Sequence, residues 1–153
     1  MALAAFLGIY VAVQILFPLR HFLYPGVVHW TEEGHMFSWH MKLRSKSARV
    51  MFLLKDPVTE RTWKIDPDDY LDSRQTDKMA SRPDMILQFA HWLRDNYRAQ
   101  GFTDIEVYAD SWARLNGREE QRMIDPSVDL GKVEWSLLPA DWILPLTEPL
   151  RIR

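Results

Sequence analysis

The chain has no cysteine, so disulfide bonds, thiolate metal ligands and a thiol nucleophile are all excluded. Glycine is sparse, and its six residues are too scattered to form a loop that cradles a phosphate. No acidic residue occurs between residues 34 and 54, although the formal net charge of the whole chain is −2. Because the chain is so close to neutral overall, its charge gives no signal for a nucleic-acid partner, and we expect none.

The first apolar run, residues 2–17, contains one polar side chain, Gln14. As a helix these sixteen residues span roughly 24 Å, less than the roughly 30 Å hydrocarbon core of a bilayer. We interpret residues 1–24 as the end of a transmembrane helix and its exit, with the beginning of that helix outside this chain. A secretory signal is disfavoured because no Lys or Arg precedes the run and no small-residue cleavage site follows it. A helix buried in the core of a soluble protein is the alternative.

Residues 25–48 form an interfacial segment rich in aromatic and basic side chains. Aromatic residues settle at the edge of a bilayer, which fits a segment that follows a membrane helix. Lys42, Arg44, Lys46 and Arg49 accumulate in the stretch from residue 34 to residue 54, which has no acidic residue. These cations fit either contact with lipid phosphates or an ordinary solvated basic face.

Three histidines in the same segment, His29, His35 and His40, are separated by five and four residues, with Glu32 and Glu33 between them. This spacing matches none of the established zinc motifs, and we predict no metal site. We expect the histidines to lie at an aqueous interface and to bond backbone groups or water.

Residues 49–153 are predicted to form an α+β extramembrane domain, in which antiparallel hairpins are covered by one long and one short helix. Four prolines make the last segment irregular, and a Ser81–Asp84 capping box is expected to open the long helix. The repeat of Met85, Phe89, Leu93 and Tyr97 at every fourth position predicts that this helix buries one face. Asp66 is the expected N-cap of the short helix. The predicted elements are a strand at 50–54, a strand at Thr62–Ile65, a short helix from Asp66-Pro67 to about residue 74, a long helix at 82–100, a strand at 105–110, an Asn116-Gly117 turn and a return strand at 118–124.

Several motifs occur in a fixed order along nearly the whole chain: Phe17-Pro-Leu-Arg-His-Phe22, Trp30-Thr31, Phe37-Ser-Trp39, Asp56-Pro57, the helix at 84–90, Leu115-Asn-Gly-Arg118, Ile124-Asp-Pro126 and Trp142-Ile-Leu-Pro145. Together they resemble the vitamin K-dependent gamma-glutamyl carboxylase family, and the pattern is closer to bacterial members than to vertebrate ones. Members of that family oxidise reduced vitamin K within a bundle of membrane helices. The strong base so formed removes a γ-proton from a peptide glutamate, and carbon dioxide traps the carbanion.

The resemblance covers the last membrane helix and the extramembrane domain of that family. The family's catalytic lysine and its partner histidine lie in earlier membrane helices, so the resemblance implies no catalytic residue in this chain and no carboxylation by the chain alone. The cofactor, reduced vitamin K (the hydroquinone), is accordingly expected in the complete protein and not on this chain by itself. None of the six lysines lies in an apolar helix, where a low pKa could be arranged.

The resemblance also implies which residues meet the substrate. Trp30, His35, Ser38 and Trp39 stand in the motif that meets glutamate and the quinone at the membrane. His35 replaces a tyrosine of vertebrate members, and an imidazolium there could still pair with a carboxylate.

A second set of residues is expected to bind peptide. Trp135 and Trp142 flank Pro139 in an aromatic, proline-rich segment that either grips an extended peptide or packs beneath the tail. In the family this region binds the propeptide of the substrate. Arg118, beside the Asn116-Gly117 turn, either pairs with a carboxylate or fixes the loop to its own domain.

We therefore expect the extramembrane part of a carboxylase-like membrane protein, placed on the periplasmic or lumenal side, that contributes to peptide-glutamate and peptide binding. Its expected partners are the membrane, a missing membrane-helix core from the same or a neighbouring polypeptide, and a glutamate-containing peptide or protein. The alternative from another class is a membrane-anchored peptide-binding module without catalysis. The basic residues after the helix favour the cytoplasmic side by themselves, and the resemblance implies the opposite side.

Overall fold

A computed structural model describes residues 2–40 and 43–149 of the chain; Lys42, one of the four predicted interfacial cations, lies outside these residues. The fold is α+β, as the sequence predicts: an apolar N-terminal helix, a four-stranded antiparallel sheet and helices packed on that sheet. The elements in chain order are α1 (Ala2–Leu19), a 3₁₀ turn (Arg20–Leu23), α2 (Val28–Thr31), β1 (Lys46–Lys55), β2 (Thr62–Ile65), a second 3₁₀ turn (Pro67–Asp69), α3 (Ser73–Ala80), α4 (Pro83–Ala99), β3 (Glu106–Leu115) and β4 (Gln121–Arg122).

The α1 helix is almost wholly exposed, and Pro18 is its one buried residue. By length and composition, the stretch Ala2–Leu23 is the one candidate membrane span in the described part of the chain. The alternative that this helix packs into the core of a soluble domain is therefore wrong. Pro18 does not end the helix, which continues through Leu19 before it tightens into the 3₁₀ turn. Proline has no backbone N–H group to donate to the helix. The change from an α-helix to a 3₁₀ turn directly after this residue is consistent with the missing hydrogen bond.

The sheet has the strand order β2-β1-β3-β4, with β1 and β3 as its two inner strands. Strand β1 pairs with β3 over ten residues and with β2 over four. The predicted strand at 50–54 is therefore only half of β1, because the first half alternates between exposed and partly buried side chains and shows no apolar run. The Asn116-Gly117 turn is confirmed, with φ of 51° and 75°, but the return strand shrinks to Gln121–Arg122.

The helices on the sheet differ from the prediction mainly at their ends. Asp66 caps the 3₁₀ turn Pro67–Asp69 as expected, but the following helix is a separate element, α3, opened by a capping box of Asp72 and Gln75. The long helix α4 falls within one residue of its predicted ends. The predicted capping box at its start is wrong, since the N-cap residue is Arg82 and no side chain caps the helix.

The hydrophobic core lies between one face of the sheet and helix α4. Phe52 and Leu54 of β1 and Val107 of β3 are fully buried there, facing Ile86 and Leu93 of α4. The predicted four-residue repeat of α4 is confirmed, because its apolar side chains form the buried face.

Adjacent leucines of β1 provide a direct test of this packing. Leu54 is 0% exposed and Leu53 is 43% exposed, since successive side chains of a strand point to opposite faces. We expect Leu54→Ala to lower the free energy of unfolding by about 2–5 kcal/mol, whereas Leu53→Ala costs less than about 1 kcal/mol. Urea unfolding of the full chain in detergent micelles measures both, and equal losses would contradict this assignment of the core face.

Candidate binding cleft at the end of the first helix

Residues 20–40, here called the exit segment, lead from α1 into the domain through a series of tight turns. Glu32, Phe37 and Trp39 adopt left-handed backbone conformations, with φ of 64°, 62° and 58°. Such conformations cost a residue with a side chain roughly 1–2 kcal/mol each, so surrounding contacts must hold them. Concentration of strain in one segment is typical of a site that has a function beyond folding.

Gly34 brings the two halves of the exit segment together. Its φ is +65°, and a Cβ atom added there would lie 2.7 Å from the Cα atom of His21. Only glycine permits both this backbone conformation and this close approach, so the turn after α2 lies directly on the turn after α1.

Three long-range hydrogen bonds hold the exit segment against residues 133–149, here called the tail. The fully buried Trp30 donates its indole N–H to the carbonyl of Leu144 at 2.7 Å. The Tyr24 hydroxyl donates to the carbonyl of Leu137 at 2.8 Å. The Glu33 carboxylate accepts the backbone N–H of Ala140, also at 2.8 Å. Each bond joins residues more than 100 positions apart, so the exit segment and the tail form one surface.

A cleft with a volume of about 310 Å³ lies between the exit segment, the start of α4 and the tail. Its walls include Arg20 and Tyr24 from the exit segment, Arg82 from the start of α4, and both tryptophans of the tail, Trp135 and Trp142. A cleft of this size accommodates one or two amino-acid side chains of a bound peptide.

The Arg20 guanidinium is a cation in the wall of this cleft that has an unpaired donor among the described residues. It lies 4.1 Å from the centre of the Phe17 ring, and its Nη1 atom is buried without a hydrogen-bond partner in the described part of the chain. A buried guanidinium donor without an acceptor is unfavourable, which makes an arriving anion a favourable partner.

Glu33 is a second ionisable residue in the wall of this cleft. Burial raises the pKa of Glu33, against the lowering effect of its hydrogen bonds from Ala140 and Thr31.

A buried charge network lies behind the exit segment. Glu32 forms an ion pair with Arg44, and the Nζ atom of Lys46 lies 3.7 Å from the Glu32 carboxylate. The Lys46 ammonium also donates to the carbonyl of Trp30 at 2.6 Å, and its side chain is only 2% exposed. Burial, together with the charges of Arg44 and Arg82, lowers the pKa of Lys46 to about 7, and the charge of Asp84 opposes this shift. A low lysine pKa therefore does occur in this chain, on a strand and not in an apolar helix.

Four histidines of the exit segment form a cluster, which we call the histidine cluster: His21, His29, His35 and His40. The ring centre of His40 lies 4.6 Å from that of His21 and 4.9 Å from that of His29. Burial, followed by the charge of His40, lowers the pKa of both His29 and His35, so their neutral forms are favoured near pH 7. Over residues 2–40 and 43–149, no group of three or more His, Asp or Glu side chains has a geometry that could hold a metal ion.

The four residues expected to meet glutamate lie beside the cleft and not in its lining. Trp30 is enclosed in the core, and Ser38 is buried with its hydroxyl donating to the carbonyl of His35 at 2.6 Å. His35 is half-buried within the histidine cluster, whereas Trp39 is exposed. Their neighbours at positions 31–34 supply the wall of the cleft instead. The contact of these four residues with substrate stays a prediction, and the buried pair is placed to support the segment from within.

The residues expected to bind peptide are separated by the fold. Trp135 is exposed, Trp142 is buried, and both line the cleft. Arg118 donates to the carbonyls of Glu148 and Leu115, at 3.1 Å and 3.3 Å. Its guanidinium therefore ties the tail to the β3–β4 turn, which is the second of its two expected roles.

The sequence names Lys46 as an interfacial cation and Arg20 within a family motif, but it assigns neither of them, nor Arg82, to the site. Arg20, Arg82 and Lys46 lie far apart in sequence and carry no shared local pattern. The cue for Lys46 was the alternation of apolar and polar residues before the apolar run of β1, which would have placed it on the strand.

Residues 1–149 match the family model described as vitamin K-dependent gamma-carboxylase, lumenal domain. The chain belongs to this family, which confirms the resemblance carried by its motifs. No solved structure matches the chain.

The low pKa of Lys46 predicts a pH dependence of stability. An unfolded lysine keeps its proton to about pH 10.4, whereas folded Lys46 loses it at about 7. Between those values the unfolded state binds more protons, so stability rises with pH. From pH 7 to 9.5 we expect the free energy of unfolding to rise by about 3 kcal/mol more in the wild type than in Lys46→Met.

Urea unfolding at a series of pH values measures this difference. Lys64→Met, at an exposed lysine of β2, is the matched control and should follow the wild-type curve. A Lys46→Met curve parallel to the wild type would contradict the low pKa.

Proposed function

We propose that this chain is the substrate-handling lumenal domain of a carboxylase-type membrane protein and that its cleft binds a glutamate-containing peptide. The observation that carries the proposal is the cleft itself. It joins the exit segment to Trp135 and Trp142 of the tail, around Arg20 with its unpartnered guanidinium nitrogen. The lumenal-domain family and the exposed apolar helix support a place beside a membrane.

Arg20 is the proposed partner of the glutamate side chain. A guanidinium binds a carboxylate through parallel charge-assisted hydrogen bonds, and these are stronger in a partly buried setting than in water. Position supports this role, since Arg20 begins the 3₁₀ turn directly after α1. A glutamate held there would lie at the end of the apolar helix, close to where the family's membrane core would begin.

The exposed acidic residues of the cleft restrict which peptides can bind. Asp84, Glu134 and Asp141 are exposed acidic residues among those that line it. They repel a run of acidic residues, so the cleft favours a single glutamate flanked by neutral or basic residues. Trp135, exposed at the wall, offers an aromatic face to the neighbouring peptide residues.

His35 and Trp39 are proposed as further contacts at the edge of the site. Because burial lowers the pKa of His35, the neutral imidazole would hydrogen-bond the substrate and would not pair with it as an imidazolium. Trp39 is exposed beside it and could cover the bound side chain.

Catalysis and the quinone are proposed to belong to the complete protein. A naphthoquinone ring needs an apolar slot, whereas seven charged side chains are among those that line the cleft: Arg20, Glu32, Glu33, Arg82, Asp84, Glu134 and Asp141. We therefore propose no quinone site within this cleft. The membrane core that would oxidise the hydroquinone is proposed to come from the same or a neighbouring polypeptide, with the present domain on its periplasmic or lumenal side.

Peptide affinity tests the proposal. The full chain in lipid nanodiscs is titrated with a fluorescent peptide of about ten residues that contains one glutamate between neutral residues, and with its glutamine counterpart. We expect the glutamate peptide to bind roughly 10-fold more tightly in the wild type, and Arg20→Gln to abolish that preference, because one charge-assisted hydrogen bond is worth about 1.5–3 kcal/mol.

Arg74→Gln is the matched control, since Arg74 is exposed on α3 and does not line the cleft. This variant should keep the full preference for glutamate. A preference that survives in Arg20→Gln would remove Arg20 from the site, and equal affinities for the two peptides in the wild type would contradict the proposed function.

A further inference from the structure

The tail carries an exposed apolar loop beside the cleft. Leu137 and Leu138 are each 74% exposed, and Trp135 is exposed next to them. Residues 135–140 carry no charge, and Glu134 and Asp141 flank them on either side. An uncharged loop with adjacent exposed leucines between two charged residues is typical of a surface that meets a partner or a membrane.

The position of this loop relative to α1 is fixed by a hydrogen bond. The Tyr24 hydroxyl donates to the carbonyl of Leu137 at 2.8 Å. Tyr24 is the first residue after the 3₁₀ turn Arg20–Leu23 that follows α1. The backbone of the loop therefore lies level with the end of the apolar helix, where the surface of a bilayer would be if α1 spans it.

Other exposed apolar side chains lie at the same end of the molecule. Phe22 and Leu23 of the 3₁₀ turn are exposed, and so is Phe37, whose ring centre lies 5.8 Å from that of Phe17 in α1. The exposed surface of α1 thus continues through the turn to the apolar loop of the tail. This continuity is what identifies the partner as lipid.

We propose that Leu137 and Leu138 insert into the edge of the bilayer and form a second membrane contact beside α1. Trp135 would lie at the level of the lipid headgroups, where tryptophan is favoured. Since the loop is also a wall of the cleft, the cleft would open along the membrane surface, and a bound peptide would lie against the bilayer. The inference rests on the membrane location of α1 that the proposed function assumes, but not on peptide binding.

The absence of cysteine allows an unambiguous test with single labels. Leu138→Cys in the full chain is labelled with an environment-sensitive fluorophore and reconstituted in phosphatidylcholine nanodiscs with and without doxyl-labelled lipid. The matched control is Val58→Cys, at a residue that is also 74% exposed but lies in the β1–β2 turn. Val11→Cys, in the middle of α1, reports whether the helix is in the bilayer.

We expect doxyl lipid to lower the emission at positions 138 and 11 by about twofold or more, and to leave position 58 unchanged. Quenching at 11 but not at 138 would overturn the inference while the membrane helix stands. Shielding at 138 by the glutamate peptide and not by lipid would overturn it in favour of a peptide as the occupant. Quenching at neither position would overturn both the proposed loop insertion and the membrane location of α1. Peptide binding would still be tested separately by the affinity measurements.

Discussion

The burial of Trp30 is the constraint on which the rest of this structure depends. Its indole ring lies in the core of the domain, its N–H donates to Leu144 in the tail, and its own carbonyl accepts the Lys46 ammonium from β1. One residue of the exit segment thus fixes the tail, the sheet and the region that follows α1 relative to one another. Together with the hydrogen bonds of Tyr24 to Leu137 and of Ala140 to Glu33, this anchor holds the two walls of the cleft against each other.

Contacts around Trp30 explain how the exit segment tolerates unfavourable features. Left-handed conformations at Glu32, Phe37 and Trp39, and a buried lysine, would each favour local rearrangement in a loosely held loop. They persist because Gly34 packs on the turn after α1 and because Glu32 balances Arg44 and Lys46. Strain and buried charge are held next to the proposed binding site, which is where proteins commonly keep them.

Local patterns predicted much of the fold. The repeat of α4, the Asn116-Gly117 turn and the Asp66 cap each follow from chemistry within a few residues, and the structure confirms them. The first half of β1 could not be recognised in this way, since pairing with β3 across the sheet extends it. The return strand was predicted at 118–124 but was predicted too long, since it pairs with β3 over only two residues.

The site was harder to predict than the fold, for a physical reason. The resemblance implies Trp30 and Ser38 as substrate contacts, which stays a prediction; sequence alone does not say that the fold buries both side chains. Arg20 and Lys46 gain their character from burial and from neighbours distant in sequence. A pKa near 7 on a strand lysine is a property of the folded environment and has no signature in the chain.

The central claim is that the exit segment and the tail form one binding surface. Amide hydrogen exchange of the full chain in nanodiscs, with and without the single-glutamate peptide, measures this most directly. The account predicts slower exchange in residues 20–40 and 133–143 together on addition of the glutamate peptide, with α3 unchanged. Protection confined to one of the two segments, or found in neither, would contradict it.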